Sequence, residues 1–250
     1  MVGAALEVDE VCLWTDVDGI LTADPKIVAH AVPLPELSYT EAAEMATLSG
    51  SEILHLRTLM PLVAHGIPLR IANILSPEKP GTRVIASPSP QHAAGAIIST
   101  RGLSLVSASA SPLPAVHDAW TSEHASAVTT RLSRAGIEML LAHQSELERT
   151  LMVLVRQPDA TYSHEIFVDA FQGGYQITKT PSVALVSVIS ASHGGSLAPK
   201  AVLALGKAQI HPIVISRAIV GSYLSFVVPD DEVMTAVRVL HDELQFGNME

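Results

Sequence analysis

Apolar residues in this chain fall into short unbroken runs, separated by stretches in which they recur every three or four positions. The runs "EVCLW" (Glu10–Trp14), "IPLRIAN" (Ile67–Asn73), "LSLVSASA" (Leu103–Ala110), "VALVSVIS" (Val183–Ser190) and "SFVV" (Ser225–Val228) predict buried strands. The helical periods lie between them. Ser38-Tyr39-Thr40-Glu41 is a capping box that opens a helix through "EAAEMATLSG", and "RTLMPLVAH" predicts a second helix that stops at Gly66. Val233, Val237, Leu240 and Leu244 fall on one face of a helix near the C-terminus. Strands alternating with helices up to about Arg83 predict part of a layered α/β domain with a parallel sheet, and "SPEKPG" (Ser76–Gly81) punctuates its end.

The remainder contains an internal repeat. Ala135–Val155 aligns without gaps on Ala208–Val228, an offset of 73 residues, as from Ile137 to Ile210. Each copy reads as a helix end, a strand, a turn and another strand, with a strand and a helix upstream. The second copy is therefore β-α-β-β-α, and "TYSHEIFVDAF" (Thr161–Phe171) predicts the matching last helix of the first copy. A unit of this size buries little core alone, so the copies are expected to pack together or against a second chain.

Composition narrows the function classes. With 48% hydrophobic and 16% charged residues the chain is a folded one, and a formal net charge of −10 argues against nucleic acid as a partner. One cysteine, Cys12, excludes an internal disulfide; its apolar run predicts a buried, inert thiol and suits a reducing compartment. No apolar stretch reaches membrane-spanning length and no basic, apolar leader opens the sequence, so no membrane partner and a cytoplasmic location are expected. Eleven histidines show no metal-ligand spacing on any one element, so no metal site is predicted, and "HDE" (His241–Glu243) reads as the solvated face of its helix.

The most chemical stretch is "WTDVDGILTADP", Trp14–Pro25, at the end of the first predicted strand. From residue types alone, its Asp and Thr side chains serve to cap turns. Together with its surroundings it points further. "LWTDVDGILTADPKIV" (Leu13–Val28) and "LSYTEAAEMATLSGSEILHLRTLMPLVAHGIPLRIANILSPEKPGTRV" (Leu37–Val84) closely resemble the aspartokinases, and the two repeats resemble the paired ACT domains of those enzymes. The resemblance implies the C-terminal part of an amino-acid-kinase-type α/β domain (residues 1–84), a linker (85–92) and two ferredoxin-like βαββα ACT domains (93–174 and 175–250). It implies transfer of the ATP γ-phosphoryl group to the aspartate β-carboxylate, with Mg²⁺, in amino-acid biosynthesis. The nucleotide-binding positions carried over are Thr15, Asp16, Gly19, Asp24 and Lys26, with Gly19 allowing close backbone approach.

Departures from the family pattern accompany it. Its KFGG-like and GRGGSD-like motifs are absent, a phosphate-facing lysine is matched by Glu52, a proline by Leu56 and a second basic position by Ala72. A carboxylate beside phosphates replaces attraction by repulsion. On the effector side the resemblance marks Ser109, Ser111, Ser145 and Glu146, with Leu140 in place of a ligand-binding aspartate; "SHGGS" (Ser192–Ser196) offers a nest at a helix start. Two functional readings stay open. One is an aspartokinase polypeptide that lacks the N-terminal catalytic half and is inactive alone. The other is a non-catalytic ACT-type amino-acid sensor or subunit. The expected partners are an amino-acid effector (lysine or threonine) and either a second copy, paired through the ACT domains, or a kinase chain.

Overall fold

The first apolar runs assemble into a four-stranded sheet of β1 (Val11–Thr15), β2 (Glu36–Ser38), β3 (Leu69–Asn73) and β4 (Thr82–Ile85), in the order β1-β3-β4-β2. The computed structural model describes residues 2–49, 56–89, 95–110, 122–171, 175–190, 197–217, 223–244 and 246. Two compact units emerge, Met1–Thr100 with Leu185–Glu250, and Arg101–Ala184. A short helix α1 (Val2–Ala5) precedes β1, and α2 (Tyr39–Ser49) and α3 (Leu56–His65) lie between β2 and β3.

The sheet is mixed, which corrects the expectation of a parallel one. β1 runs parallel to β3 (Val11↔Leu69 to Thr15↔Asn73) and β2 parallel to β4, but β3 and β4 are antiparallel (Leu69↔Val84). The connection Ile74–Gly81 is too short for the crossover that a parallel pair requires. Gly81 makes the return possible: its φ is +70°, and a Cβ there would collide with the Ile71 carbonyl oxygen. β1 stands at the edge of this sheet. Trp14 is accordingly exposed, and Cys12 is half-buried rather than fully enclosed.

The capping box forms as its spacing predicts. Ser38 N–H donates to Glu41 Oε2 at 2.9 Å, and Glu41 N–H donates back to Ser38 Oγ at 3.1 Å. Two of the helix's orphan donors are thereby satisfied at its first turn.

The Arg101–Ala184 unit holds most of the first repeat. It comprises the body of β5 (Ala96–Ala110), α4 (Ser122–Arg134), β6 (Leu141–Ser145), β7 (Thr150–Arg156), α5 (Ala160–Ala170) and the start of β8 (Tyr175–Ile189). β7 pairs antiparallel with both β5 (Leu103↔Arg156) and β6 (Leu141↔Leu154). Val106, Val128, Leu132, Val153, Ile166 and Phe167 form the centre of its core. Full burial of one such side chain is worth about 1.5–3 kcal/mol.

The other unit contains the end of β8, α6 (Leu197–Lys207), β9 (Val214–Arg217), β10 (Tyr223–Pro229) and α7 (Val233–Leu244). Here the repeat is exact in register. The pair Leu141↔Leu154 of the first copy becomes Val214↔Val227 in the second, and Gln144↔Leu151 becomes Arg217↔Leu224. Val233, Val237, Leu240 and Leu244 of α7 are all buried. β8 is longer than its apolar run because only Val183–Ile189 is buried on every residue, while Tyr175–Ser182 is polar and partly exposed.

Candidate functional site

Between β1 and β2 the chain makes a long excursion, residues 16–35, and Thr82 on β4 holds its neck. The Thr82 hydroxyl is completely buried; it accepts the Ile20 N–H at 2.8 Å and donates to the Leu34 carbonyl at 2.7 Å. Leu34 N–H donates to the Ile20 carbonyl at 2.7 Å, and the Thr22 N–H to the Val32 carbonyl at 2.9 Å, so the two limbs close on each other. Gly19 sits at this neck with φ +119°, where a Cβ would press on Thr82 Oγ1 at 2.5 Å and Thr82 N at 2.9 Å. Its lack of a side chain serves backbone packing at that point.

The loop's polar side chains are largely engaged with the fold. Thr15 Oγ1 donates to the Val17 carbonyl at 3.1 Å. Asp18 accepts from Asn73 Nδ2 at 2.7 Å and pairs with Lys79 Nζ at 2.6 Å. The hydrogen bond from Lys79, then that from Asn73, holds the Asp18 carboxyl below its ordinary value, and the same pairing raises Lys79. Asp24 Oδ1 accepts the Lys26 N–H at 2.9 Å, a turn-capping contact. Asp16 is exposed, and its carboxylate has no partner among the described residues.

A cavity of about 400 Å³ opens beside the loop, lined by Gly19, Ile20, Ala23, Asp24, Met45 and Ile97 among others. Of the five expected nucleotide positions, Gly19 and Asp24 line it, whereas Thr15, Asp16 and Lys26 do not. The far side of the loop meets α7. His241 Nε2 lies 2.9 Å from Thr22 Oγ1, Arg238 Nε donates to the Ile27 carbonyl at 3.0 Å, and His30 Nε2 lies 3.3 Å from Asp242 Oδ1. His241 is only 1% exposed, which corrects the reading of "HDE" as a solvated face; Asp242 and Glu243 do face solvent. Burial, and next the neighbouring His30, push the His241 imidazole below its ordinary value.

Three of the four expected effector residues, Ser109, Ser145 and Glu146, lie at one end of the Arg101–Ala184 unit. Ser109 and Ser145 are both register partners of Thr150, one on each side of β7. Ser145 Oγ accepts the Glu148 N–H at 3.2 Å, and Glu146 is exposed in the turn that follows. Thr150 Oγ1 is buried and has no hydrogen-bond partner among the described residues. Thr150 is not among the sequence candidates, because a threonine at a strand start carries no signal of its own. Ser111, Glu52 and the Ser192–Ser196 stretch lie outside the described residues.

The amino acid kinase family matches residues 1–73 of the chain. The bifunctional aspartokinase/homoserine dehydrogenase of Haemophilus influenzae is 30% identical over 94% of the chain. By sequence, the chain belongs to the aspartokinase family. It spans under a third of the length of the curated relatives it matches (27% and 29%). E. coli aspartokinase III, solved with aspartate and ADP, shares the fold at a TM-score of 0.79 and 24% identity, over 98% of this chain and 54% of that one. The same enzyme is also solved with lysine and aspartate. A structure of aspartokinase alpha and beta subunits matches at a TM-score of 0.51 and 21% identity, over 60% of this chain and 97% of that one.

Within this aspartokinase-family chain, a nucleotide with Mg²⁺ can be tested against the residues present. The described cavity lining is mostly apolar; its one charged side chain is the Asp24 carboxylate, and no cation joins it. Lys79 is paired with Asp18, and Lys26 lies outside the lining. A polyphosphate requires cations to offset its charge, so this lining by itself does not fit the phosphate end of a nucleotide.

Proposed function

We propose that this chain serves an aspartokinase-type phosphotransferase, one that uses ATP to phosphorylate the aspartate β-carboxylate. Its own share of that work is to carry the nucleotide-side loop and a pair of ACT-type repeats that take up an amino-acid effector. The supporting observation is continuity: the likeness to a bifunctional aspartokinase runs through 94% of the chain. The proposed domain limits are residues 1–84, the linker 85–92, and repeats 93–174 and 175–250. Asp16, whose exposed carboxylate the fold leaves free, is the proposed nucleotide-side contact, and Thr15, Gly19, Asp24 and Lys26 are the other positions carried over from the resemblance. Ser109, Ser145 and Glu146, with Thr150 between the serines, form the effector end. Lysine is the first effector to try, because E. coli aspartokinase III was solved with it. A cytoplasmic, ACT-paired homodimer is the proposed working state.

The cation-poor lining makes phosphoryl transfer by this chain alone unfavourable. A coupled assay of the purified chain with ATP, Mg²⁺ and aspartate is expected to show no turnover; turnover abolished by Asp16→Ala overturns that expectation. Thermal shift with lysine, threonine and methionine tests the effector site. Ligand at about a hundred times its Kd adds roughly 2.7 kcal/mol to stability, a clear rise in melting temperature. No rise with any of the three removes the effector reading. A second reading, a regulatory subunit without catalysis, draws support from the 97% coverage of an aspartokinase subunit chain. Stable association with a separate kinase chain distinguishes it.

A further inference from the structure

We propose that His30, His241 and Asp242 form a binding site for a divalent transition-metal ion, with zinc the best match. Each of the three offers a ligand atom, and these atoms all lie within 4.8 Å of one another. His30 comes from the excursion between β1 and β2, and the other two from α7. The imidazole rings of His30 and His241 stand 5.0 Å apart at 72°, and His30 Nε2 lies 3.3 Å from Asp242 Oδ1. In a tetrahedral zinc site with bonds of about 2.0–2.1 Å, ligand atoms sit roughly 3.4 Å apart. The side chains of His30 and Asp242 are 66% and 65% exposed, so they are free to rotate that last distance inward.

An independent observation comes from inside the fold. His241 is 1% exposed, its Nε2 is engaged with Thr22 Oγ1, and its Nδ1 is buried with no hydrogen-bond partner. Native interiors rarely leave an imidazole nitrogen in that state, since an unsatisfied buried polar atom costs about 1–3 kcal/mol. A metal ion on Nδ1 resolves it. In that state the Nε2–H donates to the Thr22 hydroxyl, which also accepts the Val32 N–H at 3.1 Å. This is the arrangement by which ligating histidines are usually held, the second nitrogen fixed by an oxygen of the surrounding fold. Two imidazoles and one carboxylate suit zinc, cobalt(II) or nickel(II) rather than magnesium or calcium, which prefer oxygen donors. Three protein ligands leave a fourth position for water or an outside ligand. A bound ion would pin the β1–β2 excursion to α7.

The test uses the full chain, freed of metal and dialysed against zinc, with cobalt(II) as the spectroscopic probe. The expected result is one strongly bound ion per chain, a tetrahedral cobalt absorption band and a zinc-dependent rise in melting temperature. His30→Ala and Asp242→Asn alter exposed side chains and are expected to leave the fold intact by circular dichroism. Each is expected to weaken zinc binding roughly tenfold or more. Absence of zinc binding overturns the proposal. So does binding that both variants retain at full strength, which assigns the ion to other histidines.

Discussion

Asp18 accepts hydrogen bonds from Asn73 and Lys79 before any ligand is considered, and its titration follows from those partners. Its carboxyl is held below the ordinary value, chiefly by the Lys79 hydrogen bond. A depressed carboxyl contributes stability above its unfolded-state value, and that contribution is lost as pH falls through the folded value. Lys79 is raised, so its share is complete below its ordinary value and fades only in strong alkali. The pair lies at the surface, where such ion pairs are worth little. Thermal melts from neutrality to about pH 2 are expected to show a shallower acid-side decline for Asp18→Asn than for the parent chain. Coincident acid limbs would remove the pair from the account.

At the scale of elements, α2 depends on the reciprocal contacts between Ser38 and Glu41. Ser38→Ala is expected to cost about 1 kcal/mol, read from the midpoint of urea unfolding at unchanged slope. An unchanged midpoint would mean that packing alone fixes the start of this helix. This element was legible because its signal is local, four residues wide. The end of α3 at Gly66 was legible for the same reason. The direction of β4 was not, because alternation gives strand positions and only the connection length gives their sense. The buried His241 was equally hidden. Its partner Thr22 is 219 residues away in sequence, and the polar neighbours Asp242 and Glu243 imitate a solvent face. The same distance hid the His30 cluster, which no spacing rule on one element detects. For the loop, the resemblance gave no sign that Asp18, Asp24 and Thr15 are engaged with the fold's own groups.

For the molecule as a whole, the charge balance argues against one class of partner. With a formal charge of −10, the chain is expected to pass a polyanion column at low salt without retention. Salt-sensitive retention would reveal a basic surface that the totals conceal. None of the helices among the described residues is long and apolar enough to cross a membrane. The architecture was legible at this scale through the repeat, since the 73-residue offset marks β6, β7 and α5 against β9, β10 and α7 before any coordinates.

That shared register turns each hairpin into a record of what the other tolerates. His143 stands where the later copy has Ser216, Met152 where it has Ser225, and Val153 where it has Phe226, each pair meeting the same cross-strand neighbour position. The chain thus carries its own two-member substitution library. Residues can be traded between the hairpins singly or together, with no insertion and no deletion.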